Sequence, residues 1–122
     1  MEGTADNALA GIRAVMGKGT HLGEFEILVL AALMRLADQA YGVAIRKEIE
    51  SRTERNASVG AVYATLERLE IKGLVRSQKG SASPERGGRA KRFFTIEPEG
   101  RQRLEQALKT LHQMTEGLVS WQ

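Results

Sequence analysis

A capped helix running straight into a basic, glycine-rich hairpin constrains this chain more than any other feature. Residues 58–74 read Ser-Val-Gly-Ala-Val-Tyr-Ala-Thr-Leu-Glu-Arg-Leu-Glu-Ile-Lys-Gly-Leu. Ser58 is a strong N-cap, because its hydroxyl can accept a hydrogen bond from a free backbone N–H of the first turn. Gly73 falls where helices end on a left-handed residue. At about 100° per residue, Val59, Val62, Tyr63, Leu66, Leu69 and Glu70 share one side of the predicted helix. Ala61, Ala64, Thr65, Arg68 and Lys72 share the other. The first side is a core face. The second has small residues early, then a threonine and two long cations. Small side chains let a helix approach a nucleic-acid groove, arginine can donate two hydrogen bonds to guanine, and a threonine methyl can touch thymine. Taken alone, the same pattern also describes an amphipathic helix with a solvated face.

The next segment decides between them. Residues 76–92 hold six cations (Arg76, Lys79, Arg86, Arg89, Lys91, Arg92) and one acid (Glu85), a net of +5. The rest of the chain holds 12 cations against 14 acids, so positive charge is concentrated where phosphate would be met. Leu74–Ser77 and Lys91–Ile96 read as short strands, the second rich in aromatic and β-branched residues. Gly80–Gly88 between them is a loop by composition. A basic hairpin after a groove-compatible helix points to DNA contact rather than to a solubilising loop.

Upstream, Leu22–Leu36 is apolar nearly all round, so it is expected to be buried on several sides, with a second subunit helping to cover it. Asp38–Gly42 reads as a turn. Val43–Arg52 reads as a second amphipathic helix with Val43, Ile45 and Ile49 inward, and Arg46 or Lys47 facing phosphate or solvent. Residues 1–20 form an N-terminal extension in which Leu9, Ile12, Val15 and Met16 have helical spacing. Gly11, Gly17 and Gly19 weaken that helix, and Met16 is a second candidate start. From Gly100 onward, Leu104, Ala107, Leu111, Met114, Leu118 and Trp121 recur at steps of 3, 4, 3, 4 and 3. This is a heptad seam that calls for a partner helix, in a homodimer or on the chain's own first helix.

The residues argue against catalysis. The chain has no cysteine, which excludes a disulfide framework and thiolate metal ligands, and no serine lies beside a histidine. His21 and Glu24 are a possible ligand pair, but two ligands make no site. Gly17-Lys18-Gly19-Thr20 lacks the earlier glycine and the preceding strand of a phosphate loop. The longest apolar run, Ile27–Met34, is too short to span a bilayer. No enzyme activity, cofactor or metal is expected, and a cytoplasmic location is.

Five segments together resemble the PadR family of winged-helix transcriptional regulators, in its short-chain branch with one C-terminal helix. They are Leu22–Leu30; Tyr41–Ile45; Gly60–Glu70 with Lys72–Val75; Gly88–Phe94; and Glu99-Gly100. Family members often carry tyrosine at Phe93 or Phe94 and threonine at Glu97. Glu97 is a weaker N-cap, although an acid still suits a helix N-terminus and Pro98 suits the first helical position. The expected fold is mainly α with a small β-hairpin: a winged helix-turn-helix over residues 21–96 and a dimerisation helix over 97–122. The resemblance implies a homodimer on a pseudo-palindromic duplex, acting as a repressor released by a small apolar or aromatic effector. Expected base contacts are Ala61, Ala64, Thr65 and Arg68. Lys72, Arg86, Arg89 and Lys91 are expected at phosphates, with Ser58 and Tyr63 at the edge of the interface. Leu22, Phe25, Leu104, Ala107, Leu111, Met114, Leu118 and Trp121 are expected between subunits, with Phe25, Met114 and Trp121 candidates to line an effector space. The alternatives are a winged-helix dimer serving protein interaction without its own operator, and a sensor whose main act is binding a small molecule.

Overall fold

The computed structural model describes residues 21–82 and 90–118. Helix α1 spans Glu24–Leu36 and a 3-10 turn follows at Ala37–Gln39; α2 spans Gly42–Arg52 and α3 Val59–Ile71. Strands β1 (Val75–Ala82) and β2 (Ala90–Ile96) pair antiparallel, and α4 (Pro98–Thr115) closes the described chain. The fold is mainly helical with one small hairpin. The N-terminal extension, Arg86, Arg89 and Trp121 lie outside the described residues.

α1 is the central element. It touches α2, α3, α4 and β2, which is why so many of its side chains are apolar. Val29, Leu30, Ala32 and Leu33 are buried with Ile45 and Ile49 of α2 and Val62, Leu66 and Leu69 of α3. Leu74, Val75, Phe94 and Leu104 complete this core. The chain's own domain therefore supplies much of the cover expected from a partner, although Met34 stays 40% exposed. Val43, expected inward on α2, is exposed, because Ile45 and Ile49 already fill the face toward α1.

The signals at the ends of α3 act as expected. Ser58 Oγ accepts from Ala61 N–H at 3.0 Å, a cap that stabilises by about 1 kcal/mol. At the other end Gly73 has φ +81°. Its N–H donates to Glu70 O at 3.0 Å, and Leu74 N–H donates to Leu69 O at 2.9 Å. These two bonds make a Schellman ending, which reverses the chain and aims it into the hairpin.

The hairpin is longer than its composition suggests. β1 runs through Ala82 rather than stopping at Ser77, so the loop begins later. Val75 faces Ile96, Ser77 faces Phe94 and Lys79 faces Arg92, with a one-residue irregularity between Lys79 and Ala82. Gly80 lies in that irregularity, where a Cβ would come 2.7 Å from the Phe93 ring. Phe94 N–H donates to Ala40 O at 2.9 Å, and Tyr41 bridges Phe93, so the hairpin is tied to the turn before α2. At the base, Arg76 Nη1 meets Glu97 Oε1 at 3.0 Å. Glu97 caps α4 through position alone, its side chain making no capping bond to the helix, and Pro98 follows at the first helical turn.

Candidate nucleic-acid interface

The exposed face of α3 consists of Gly60, Ala61, Ala64, Glu67, Arg68 and Ile71. Two alanines and a glycine leave the first two turns almost without side chains. Arg68 then rises at the end of that bare surface with its side chain 57% exposed. The shallow groove beside it, about 430 Å³, is lined by Arg55, Asn56 and Ser58 as well as by Ala61, Ala64 and Arg68.

Two expected contacts are corrected. Thr65 is 2% exposed, so it cannot offer its methyl to a base. Its hydroxyl instead accepts from Arg68 Nη2 at 3.1 Å. Lys72 is not extended toward phosphate: its side chain is 12% exposed and its Nζ lies 3.0 Å from Glu26 Oε2. Both residues stand at the edge of the face where α1 packs, and α1 brings the buried Glu26 carboxylate to Lys72.

Phe25 is also redirected. Arg55 lies over its ring at 5.4 Å, and the ring lines the α3 groove rather than the face shared with α4. Arg55 and Asn56 carry no sequence signal of their own, because residues 53–57 have no periodicity. The only signal there is a polar loop just before an N-cap. Tyr63 is half-buried, tilted against Phe94 at 6.1 Å and seated over Gly42, where a Cβ would come 2.4 Å from its Cζ. That close approach explains the glycine after Tyr41.

The hairpin's charge is partly spent internally. Arg92 Nη2 donates to Glu70 Oε1 at 3.1 Å and to Ser77 Oγ at 3.0 Å, while Ser77 Oγ donates to Glu70 Oε2 at 2.9 Å. This clamp fixes the hairpin against the end of α3. Lys91 Nζ sits 3.8 Å from the centre of the Tyr41 ring. With Arg76 on Glu97 and Arg92 on Glu70, two of the segment's four described cations are paired to acids outside it. Such exposed pairs are each worth about 0–1 kcal/mol and are weakened by salt.

On the other side of α1, a groove of about 410 Å³ runs between α1 and α4, lined by Leu22, Ile27, Ala107 and Leu111 among others. Leu104 is 3% exposed and belongs to the core. Beyond it α4 leaves the domain, with Leu108 49%, Leu111 52% and Met114 82% exposed. The helix ends at Thr115, and Gly117 at φ +86° turns the chain, so Leu118 lies past the helical seam rather than on it. Among the described residues, no helix is long and apolar enough to cross a membrane.

The model of the transcriptional regulator PadR-like family matches residues 29–106, from the middle of α1 through the first half of α4. The chain belongs to this family. A PadR family transcription regulator from Clostridium difficile is 25% identical over 80% of this chain and 100% of its own, with a TM-score of 0.63. A PadR family regulator from Eggerthella lenta is 22% identical over 93% and 91%, with a TM-score of 0.61. A PadR-like regulator from Bacillus cereus is 18% identical over 80% and 93%, also at 0.61. The latter two speak to the fold alone. No curated protein matches the chain. Leu108, Leu111 and Met114, the exposed apolar residues of α4, lie beyond the matched residues.

Proposed function

We propose that this PadR-like protein binds duplex DNA as a sequence-specific homodimer in the cytoplasm and represses transcription until a small apolar or aromatic effector releases it. The observation that carries the reading is the face of α3: a bare surface at Gly60, Ala61 and Ala64 ending in an exposed arginine, beside a cation-rich hairpin. A bare helix face fits against base edges, and an arginine at its end has the geometry for guanine. Ala61, Ala64 and Arg68 are assigned to bases. Ser58, Tyr63, Arg55 and Lys91 are assigned to the flanking backbone, and Arg86 and Arg89 to phosphates beyond the hairpin.

In this reading residues 21–96 read DNA and 97–122 pair the subunits. The exposed stripe of Leu108, Leu111 and Met114 is the natural seam. Two reading helices related by a two-fold axis would address half-sites about one helical turn apart. The groove between α1 and α4, lined by Leu22, Ile27, Ala107 and Leu111 together with His21, Arg103, Gln106 and Thr110, shares Leu111 with this seam, which suits an effector that alters the spacing of the two helices. Repression follows sterically from occupied promoter DNA.

Selection of bound duplexes from a random pool, with the salt dependence of the winner, tests this reading. A pseudo-palindromic winner is the expected result. Equal recovery of all sequences would reduce the protein to a nonspecific basic one, and no recovery would favour a protein-interaction role. Arg68→Ala should then cost about 1–3 kcal/mol on the selected duplex and relax preference at one base pair. An equal loss on every sequence would reassign Arg68 to phosphate. Arg89→Ala should weaken binding evenly and flatten the log–log salt slope by about 0.9; an unaltered slope would remove Arg89 from the interface.

A further inference from the structure

Glu26 is a buried acid directly beneath the proposed reading face, 7% exposed, and the DNA contacts assigned above leave it without a role. Its Oε1 accepts from Gly23 N–H at 2.8 Å, closing the first turn of α1. Its Oε2 accepts from Lys72 Nζ at 3.0 Å. Arg68 Nε lies 3.8 Å from that same oxygen, an ion-pair distance too long for a hydrogen bond. On the same edge of the guanidinium, Nη2 donates to Thr65 Oγ1. The edge formed by Nε and Nη2 is therefore turned toward the protein. The end formed by Nη1 and the second N–H of Nη2 remains to donate two parallel bonds, the pattern that guanine O6 and N7 accept.

We propose that Glu26 is a positioning residue for sequence reading: it withdraws Lys72 from the cations that meet phosphate and holds Arg68 with its donor end outward. The inference rests on the DNA-binding reading above. Phosphate contacts hold a protein on any duplex, whereas base contacts discriminate. A lysine neutralised from beneath lowers binding to all sequences alike. A pre-oriented arginine favours one. Moving Lys72 to a phosphate would strip a buried carboxylate of its closest counter-ion, which is costly, so the pair stays closed on DNA.

The test titrates the wild-type protein, Glu26→Gln and Lys72→Gln with the selected duplex and with a random-sequence duplex over a salt series. Glutamine keeps the size of Glu26 and an acceptor for Gly23 N–H while removing the charge. Glu26→Gln should bind random duplex roughly fivefold to tenfold more tightly at low salt, with a slope steeper by about 0.9 as Lys72 gains a phosphate. Its preference for the selected duplex should fall by about tenfold as Arg68 loses one hold. Lys72→Gln should keep the wild-type slope. A Lys72→Gln slope shallower by about 0.9 would overturn the proposal, as would a folded Glu26→Gln protein with wild-type slope and preference. If thermal melting shows Glu26→Gln unfolded, the Lys72→Gln slope decides alone. A wild-type protein with no preference for any duplex would sink the DNA-reading interpretation instead, so the two failures are distinct.

Discussion

Gly100→Ala should lower the stability of the domain by about 3 kcal/mol and its midpoint of thermal unfolding by roughly 10–20 °C. Gly100 is buried in the first turn of α4, and a Cβ there would sit 2.2 Å from the Leu74 carbonyl oxygen and 2.9 Å from Ile96 Cγ1. The obstacle is backbone, which no rotamer change can relieve. The same carbonyl accepts from Glu97 N–H at 2.8 Å, so it cannot swing away without breaking the bond that seats α4 on the hairpin. An added methyl must push α4 off the base of both strands. Gly73→Ala is the control: it has φ +81° but nothing within 4 Å, so only the left-handed backbone is penalised, at about 1–2 kcal/mol. Calorimetry on both variants separates the two causes. Equal losses would mean that the crowding at Gly100 is relieved elsewhere.

Leu111→Lys should turn the proposed dimer into monomers with little change in the fold of each. Leu111 is 52% exposed in the single chain, so the charge costs the isolated domain little. In a helix seam the same lysine would be buried against its symmetry mate. Loss of the second reading helix removes the gain from bivalent attachment, and affinity for a pseudo-palindromic duplex should fall at least 100-fold or so. Sedimentation would read the assembly and a duplex titration the consequence. A dimer that persists in Leu111→Lys would move the interface off α4. A monomer that keeps full affinity would mean that each subunit binds alone.

Much of the architecture is legible residue by residue. Ser58 and Gly73 mark the ends of α3 because caps are local: each needs only a few neighbours in the chain. The hairpin is legible from β-branched and aromatic residues around a glycine-rich loop, although its pairing runs further than composition indicates. The composition of Gly80–Ala82 says loop, yet β1 continues there, since backbone pairing asks little of side chains. The seam on α4 is only half legible. Leu104 continues the same spacing as Leu111 and Met114, but its side chain is consumed by the domain's own core, and the turn at Gly117 ends the helix before Leu118.

The sequence by itself determined the order of the elements, the face of α3 that carries its apolar residues, and the membership implied by motifs in series. Those are consequences of short-range rules with fixed periods. What only the tertiary structure decided is which polar residues are spent inside. On a wheel of about 100° per residue, Thr65 lies about 60° from Val62 and Lys72 about 60° from Leu69, at the border between core and surface. Whether such a border residue faces water depends on what packs beside it. Here α1 packs beside it and brings Glu26, from 46 positions away in the chain, to Lys72. Periodicity describes one helix, whereas burial at its edge belongs to two, and so Thr65 and Lys72 leave the proposed reading face to Ala61, Ala64 and Arg68.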